Sequence, residues 1–262
     1  DYFVRGAAVR GLANNFKDDP DTKTILKERA TQDDDYFVRG AAVRGLANNF
    51  KDDPDTKTIL KERATQDNHQ FVRGAAVQGL ANNFKDDPDT KTILKERAIQ
   101  DDHEYVRGAA VRGLANNFKD DPDTKTILKE RATQDDHEDV RGAAVEELAN
   151  HFKDNPDTKT ILKERATQDD HENVRGAAVQ KLAKYFKYQP ELFDIYYNCA
   201  VDDSFERKER DEPNPRRIAL EIIIKQFPQH PQTLPLLRDR AENDPDEQVR
   251  EFAQKKLAQL EK

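Results

Sequence analysis

The chain has 262 residues, with 44 Lys plus Arg against 52 Asp plus Glu, a formal net charge of −8, 37% charged residues and only 35% hydrophobic ones. No apolar run is long enough to span a bilayer and no signal-peptide pattern opens the chain, which points to a cytoplasmic location; a single Cys excludes an internal disulfide or a Cys-rich metal site. The acidic balance argues against broad nucleic-acid binding, and the absence of Met leads us to expect that Asp1 is the edge of a longer chain rather than a native start.

A low apolar fraction ordinarily signals disorder or a thin core. Internal repetition gives another explanation. Residues 1–34 read DYFVRGAAVRGLANNFKDDPDTKTILKERATQDD, and residues 35–68 repeat them with one change, Asp34 to Asn68. Units 69–102, 103–136 and 137–170 follow with growing drift, and a sixth holds from His171 to Lys187. In chain order, the first predicted helix carries Val4, Arg5, Ala8, Val9, Leu12, Ala13 and Phe16 on one arc, a spacing of 3.6 residues per turn. We term this a B helix. An A helix follows, opened by Asp19 as N-cap and Pro20 at the first helical position, with Ile25, Leu26 and Ala30 as its apolar face. The next B helix runs through Val38, Arg39, Ala42, Val43, Leu46, Ala47 and Phe50. No stretch alternates with period two, so no strand is expected.

The B-helix arginines Arg5, Arg39, Arg73, Arg107, Arg141, Arg175, Arg216 and Arg250 count eight B helices. The prolines Pro20, Pro54, Pro88, Pro122, Pro156, Pro190 and Pro231 count seven A helices. The frame thus continues through a divergent part, 188–262, after the near-identical repeats of 1–187, with an insertion of about seven residues within 203–213. The array opens on a B helix without an A helix before it, so its first apolar flank is open to end-on self-association. Stacked antiparallel pairs of this kind form an all-α, right-handed α-solenoid of about 15 helices, an elongated curved rod with layers roughly 8–10 Å apart.

The segments DDHEYVRGAAVRGLANNF (101–118) and DPDEQVREFAQKKL (244–257) resemble the D-x-x-VR-x-A-A-x-x-L signature of HEAT repeats, in particular the bacterial type related to the bilin-lyase group. That resemblance implies an inter-repeat ladder between the Asp before each B helix and the Arg within it: Asp34 or Asp33 with Arg39, and likewise at Arg73, Arg107, Arg141 and Arg175. The segments NCAVDDSFERKE (198–209) and IIIKQFPQHPQTLPLLRDRAENDPDEQVR (222–250) also look like the C-terminal arrays of bacterial NACHT-type (STAND) signalling ATPases.

HEAT-like arrays line their concave side with B helices, and the resemblance implies a protein or peptide partner there. On the B helix, Phe3, Arg10 and Asn14 form the stripe opposite the apolar arc, flanked by Gly6, Ala7 and Gly11. At the third position the repeats carry Phe3, Phe37, Phe71, Tyr105, Asp139 and Asn173; at the tenth, Arg10, Arg44, Gln78, Arg112, Glu146 and Gln180. Aromatic and Arg side chains commonly carry interface energy. Phe3, Arg10, Phe37, Arg44, Phe71, Gln78, Tyr105, Arg112 and Glu146 are therefore the candidate binding residues. The competing structural reading packs each aromatic across a neighbouring B helix. Unit 103–136 has six Lys plus Arg against seven Asp plus Glu, and unit 137–170 five against nine, so acidity deepens along the chain.

Catalytic, cofactor and metal sites are not expected. GAAVRG (6–11) has the spacing of a phosphate-binding loop, but Leu12 and Ala13 stand where Lys and Ser/Thr are required. His69, His103, His137 and His171 recur once per repeat, roughly 10 Å apart, too far to share a metal, and are expected as solvated residues beside caps. Cys199 falls at the Arg29 position of an A helix and is expected to be inert. The leading expectation is a non-catalytic recognition array. The alternatives are a nucleic-acid-binding HEAT-like array, which Glu146 and Glu147 disfavour, and a bilin-lyase-like protein.

Overall fold

The structure, a computed structural model, describes residues 1–208 and 212–260. Fifteen α-helices and no strand occur among the described residues, in the tandem helix-pair arrangement of an α-solenoid. The chain divides into two compact units, Asp1–Arg131 and Ala132–Lys262.

In the first unit the B helices are α1 (Tyr2–Asn15), α3 (Tyr36–Asn49), α5 (Gln70–Asn83) and α7 (Glu104–Asn117). The A helices are α2 (Pro20–Gln32), α4 (Pro54–Gln66), α6 (Pro88–Gln100) and α8 (Pro122–Gln134), whose last residues belong to the second unit. The B helices stack side by side, α1 on α3 on α5 on α7, and α2, α4 and α6 each pack on the B helix that follows. The A helices begin where the Asp-Pro pair places them. Asp19, Asp53 and Asp87 accept a hydrogen bond from the backbone N–H two residues on, and Pro takes the first helical position, where no N–H is needed.

Nine of the fourteen residues of α3 are buried, more than one apolar arc provides. Gly40, Ala41 and Gly45, expected as flanks of an outward stripe, lie under the neighbouring B helices. Phe50, expected on the apolar arc, instead ends the helix as a half-buried C-cap, its N–H bonded to the Leu46 carbonyl. Leu26, Leu46, Leu60, Leu80, Leu94 and Leu114 are fully buried. Each contributes roughly 1.5–3 kcal/mol of burial. A few apolar residues per repeat suffice because each is covered from both sides.

In the second unit the B helices are α9 (Glu138–His151), α11 (Glu172–Tyr185), α13 (Pro215–Gln226) and α15 (Glu247–Leu260), and the A helices are α10 (Pro156–Gln168), α12 (Phe193–Asp202) and α14 (Thr233–Asn243). Two expected A-helix starts are displaced. Pro190 opens a 3-10 turn, Pro190–Leu192, ahead of α12, and Pro231 lies in the turn before α14. At Pro190 the reason is local, since Gln189 stands before it and its side chain does not cap; before Pro231, His230 Nδ1 accepts the Gln232 N–H at 3.4 Å, and α14 starts two residues further on. The insertion at 203–213 separates α12 from α13; residues 203–208 and 212–214 are irregular, and 209–211 lie outside the described residues.

Candidate interaction face

The inward arginines are heavily hydrogen-bonded, and Arg39 completely so. Arg39 donates from Nε and Nη2 to the two carboxylate oxygens of Asp67, each at 2.9 Å, and from Nη2 to Asn68 Oδ1 at 2.8 Å. Its Nη1 donates to the carbonyls of Asp33 and Asp34, both at 3.0 Å. All five guanidinium donors are occupied, and one side chain ties two successive A–B turns together. Arg73 with Asp101, Arg141 with Asp169 and Arg175 with Asp203 repeat the bidentate pair. Arg107 donates to the Asp101 carbonyl at 3.1 Å. The expected pairing of Arg39 with Asp33 or Asp34 is corrected in register: Arg39 meets those two through their backbone carbonyls, and its carboxylate partner lies one repeat ahead. Asp34 is exposed and its carboxylate bonds Arg5 instead. Burial alone would raise the Asp67 carboxyl, but Arg39 and the His69 backbone N–H hold it below the usual carboxylate range.

A second ladder, on the A helices, escapes the sequence reading. Lys57 and Lys61 of α4 both reach Asp87, the N-cap of α6, at 2.7 and 2.8 Å, and Lys61 also reaches Asp89 at 2.7 Å. Lys23 and Lys27 treat Asp53 in the same way, and Lys91 and Lys95 treat Asp121. The lysines hold the Asp87 carboxyl down at about 2. The signal was present in K-T-I-L-K, whose two lysines share a helix face opposite the D-P-D of the next repeat.

The recurrent histidines are caps rather than neighbours of caps. Nδ1 of His69, His103, His137 and His171 accepts the backbone N–H two residues on, at 3.2–3.3 Å. Among the described residues, no group of three or more His, Cys, Asp or Glu could hold a metal ion. Cys199 is buried, its thiol pushed up to about 12 by burial, with Sγ 3.6 Å from the Pro215 carbonyl oxygen. No helix among the described residues is long and apolar enough to cross a membrane.

The outward stripe is a set of inter-repeat stacks. Phe37 and Phe71 lie across the preceding B helix, over Gly6 and Gly40; a Cβ at Gly40 would stand 2.7 Å from the Phe71 ring. Tyr105 sits over Gly74 in the same manner. The guanidinium of Arg10 caps the Phe37 ring at 4.6 Å, and that of Arg44 caps Phe71 at 4.1 Å. Gln78 Nε2 approaches the Tyr105 hydroxyl at 3.5 Å. Phe3, on the first B helix, is 61% exposed and its ring centroid is 5.8 Å from that of Phe37. Arg112 is exposed and lies back over Gly108 of its own helix. In the second unit Glu146 is half-buried, whereas Glu147, read as outward, is buried and pairs with His151 at 3.2 Å. The candidate aromatics therefore serve packing first. What they leave presented is the arginines: Arg10, Arg44 and Arg112 have no hydrogen-bond acceptor among the described residues. A stacked guanidinium spends its face on the ring and keeps its N–H edge free.

A family profile described as HEAT repeats matches residues 1–81 and 91–183. The chain belongs to the HEAT-repeat family. In fold the array is similar to the X-ray structure of YibA from Escherichia coli, with a TM-score of 0.60 and 19% identity, over 95% of this chain and 85% of that one. It is also similar to the complex of CpcE and CpcF of phycocyanin lyase from Nostoc sp. PCC7120, with a TM-score of 0.46 and 16% identity, over 91% of this chain and 88% of that one. No curated protein matches the chain.

Proposed function

We propose that this HEAT array is a non-catalytic scaffold that recognises protein or peptide segments on its B-helix face. One observation carries the reading. The inward Arg39, Arg141 and Arg175 are saturated, Asp67, Asp87 and the recurrent histidines are committed to ladders and caps, and yet Arg10, Arg44 and Arg112 stand on the B-helix face without acceptors among the described residues. Two of them are held in place by the rings beneath, so little side-chain freedom is lost on binding. Donors of this kind suit carboxylates and peptide carbonyls. Variation among repeats gathers at these same positions, as expected of a surface whose specificity changes by duplication and drift. The resemblance of segments 198–209 and 222–250 supports placing the array as the sensor portion of a larger bacterial signalling ATPase; the reading frame upstream of Asp1 tests that placement.

Selection of a random peptide library on the purified chain tests the recognition itself. Enrichment of acidic peptides is expected, with loss of that enrichment in the double variant Arg44→Glu, Arg112→Glu at unchanged helix content by circular dichroism. Peptides that bind both proteins equally would sink the proposal.

A further inference from the structure

The close contact between B helices loosens in the second unit beyond α11, first between α11 and α13. In the first four repeats, positions 7 and 11 of the B helix are Ala and Gly; in the next two, Glu147 and Lys181 take position 11. Their smallness sets the spacing: a Cβ on Gly45 would stand 2.9 Å from Ala13 Cβ, and one on Gly79 2.9 Å from Ala47 Cβ. In α13 these positions are Ile218 and Ile222. An isoleucine cannot occupy the space of a glycine against a neighbouring Ala, here Ala183 of α11, so the two helices stand apart. The gap is a groove of about 400 Å³, lined by Ala183, Ile218 and Ile222 with Lys184, Lys187 and Lys225 at its edges. Such a volume is in the range of ligand-binding clefts.

The groove is framed and its charge is distinctive. Tyr188, held at φ 59, lines the groove; its N–H donates to Gln226 Oε1 at 3.3 Å, while Gln226 Nε2 donates to the Ala183 carbonyl at 2.8 Å. Lys184 and Lys225 occupy the same repeat position on adjacent helices. Lys184, Lys187 and Lys225 are exposed and have no carboxylate partner among the described residues, unlike the paired lysines of the A helices. Glu221 is the carboxylate of the lining, so the groove is net positive in a chain of charge −8.

We infer that the α11–α13 groove binds an acidic peptide segment through one apolar side chain seated against Ile218 and Ile222, with flanking carboxylates held by Lys184, Lys187 and Lys225. An apolar floor with a basic rim complements an acidic segment with an apolar anchor, and neither half of that chemistry suits a basic or wholly polar partner. This inference rests on the recognition reading above but uses different residues.

The probe is a labelled peptide, acetyl-Glu-Asp-Leu-Phe-Asp-Glu-amide, titrated into the full chain by fluorescence anisotropy and by amide chemical shifts. Saturable binding is expected, with shifts at Ile218 and Ile222 and weakening by added salt. Replacing Leu-Phe by Ser-Ser, or the acids by Lys, should remove it. The double variant Lys184→Glu, Lys225→Glu changes only exposed side chains and should weaken binding by about tenfold or more. Ile222→Gly restores the residue of the first four repeats and should weaken binding by closing the gap. Arg44→Glu with Arg112→Glu should leave this peptide unaffected, so loss of the arginine reading and loss of the groove are told apart. No saturable binding, equal binding by the lysine double variant, or a short DNA duplex or a second copy of the chain giving these shifts in place of the peptide would overturn the inference.

Discussion

A glycine inside a helix costs about 1 kcal/mol relative to alanine, and this chain places ten of them in its B helices. The structure separates their uses. Gly40 is the seat of an aromatic ring from the next repeat, and Gly79 is a contact point where two helices meet with Ala47 Cβ 2.9 Å from a built Cβ. Gly142 has nothing within 4 Å of that point. We therefore expect opposite signs from one substitution. Gly79→Ala should destabilise by about 1–3 kcal/mol through overpacking, while Gly142→Ala should stabilise by about 1 kcal/mol through helix propensity. Urea midpoints of the two variants decide this; a shift of the same sign in both would remove the packing argument. The sequence showed that glycine implied close approach, but not which glycines had kept that role.

At the scale of the element, the repeats use two chemistries for one cap. Asp1 and Asp35 cap the first two B helices, and His69, His103, His137 and His171 cap the next four. An accepting Nδ1 requires a neutral ring, since both nitrogens of the imidazolium are donors. Burial lowers the His69 pKa, and the nearby Arg39 and Arg73 lower it further against the opposing Asp67. A His lowered in the folded state contributes stability that is complete above its unfolded value of about 6.5 and lost as pH falls below it. His69→Asp installs the cap of the preceding repeat, which stays ionised there. Between about pH 7.5 and pH 5.5 the urea midpoint of the parent should fall more than that of the variant, by up to about 1 kcal/mol, the worth of a cap. Parallel pH profiles would refute the histidine-cap account. The A-helix starts were legible wherever Asp preceded Pro, because cap and Pro act within a few residues. They were misplaced at Pro190, where Gln189 does not cap, and at Pro231, where His230 accepts the Gln232 N–H at 3.4 Å but the helix begins only at Thr233.

At the scale of the whole molecule, the same weak pairings recur many times. Asp33, Asp87 and Asp121 are each held at about 2, Asp33 by Arg5 against the opposing pull of burial, Asp87 and Asp121 by pairs of lysines. A carboxylate lowered in the folded state contributes stability that is complete above its unfolded value, about 3.9, and lost as pH falls through the folded value. Each exposed lysine pair is worth little, but in a repeat array interface terms add along the chain. Helix content followed by circular dichroism should hold to about pH 4 and collapse between about pH 4 and pH 2. Retention of full helix content at pH 2 would show that the ladders contribute little.

The sequence by itself determined the period, the helix pairs and the saturation of the core by Leu, Val and Ala, because all three follow from spacings within one repeat. It could not decide which carboxylate each arginine meets, since Asp67 is 28 residues from Arg39 and only stacking brings them together. For the same reason the sequence left the aromatics open between a binding stripe and inter-repeat packing, and the preceding helix beneath Phe37 and Phe71 decides for packing. The low apolar fraction that first suggested a thin core thus has its explanation across the interface between repeats. So does the α11–α13 contact, where Ile218 and Ile222 stand at the Ala and Gly positions and the interface opens.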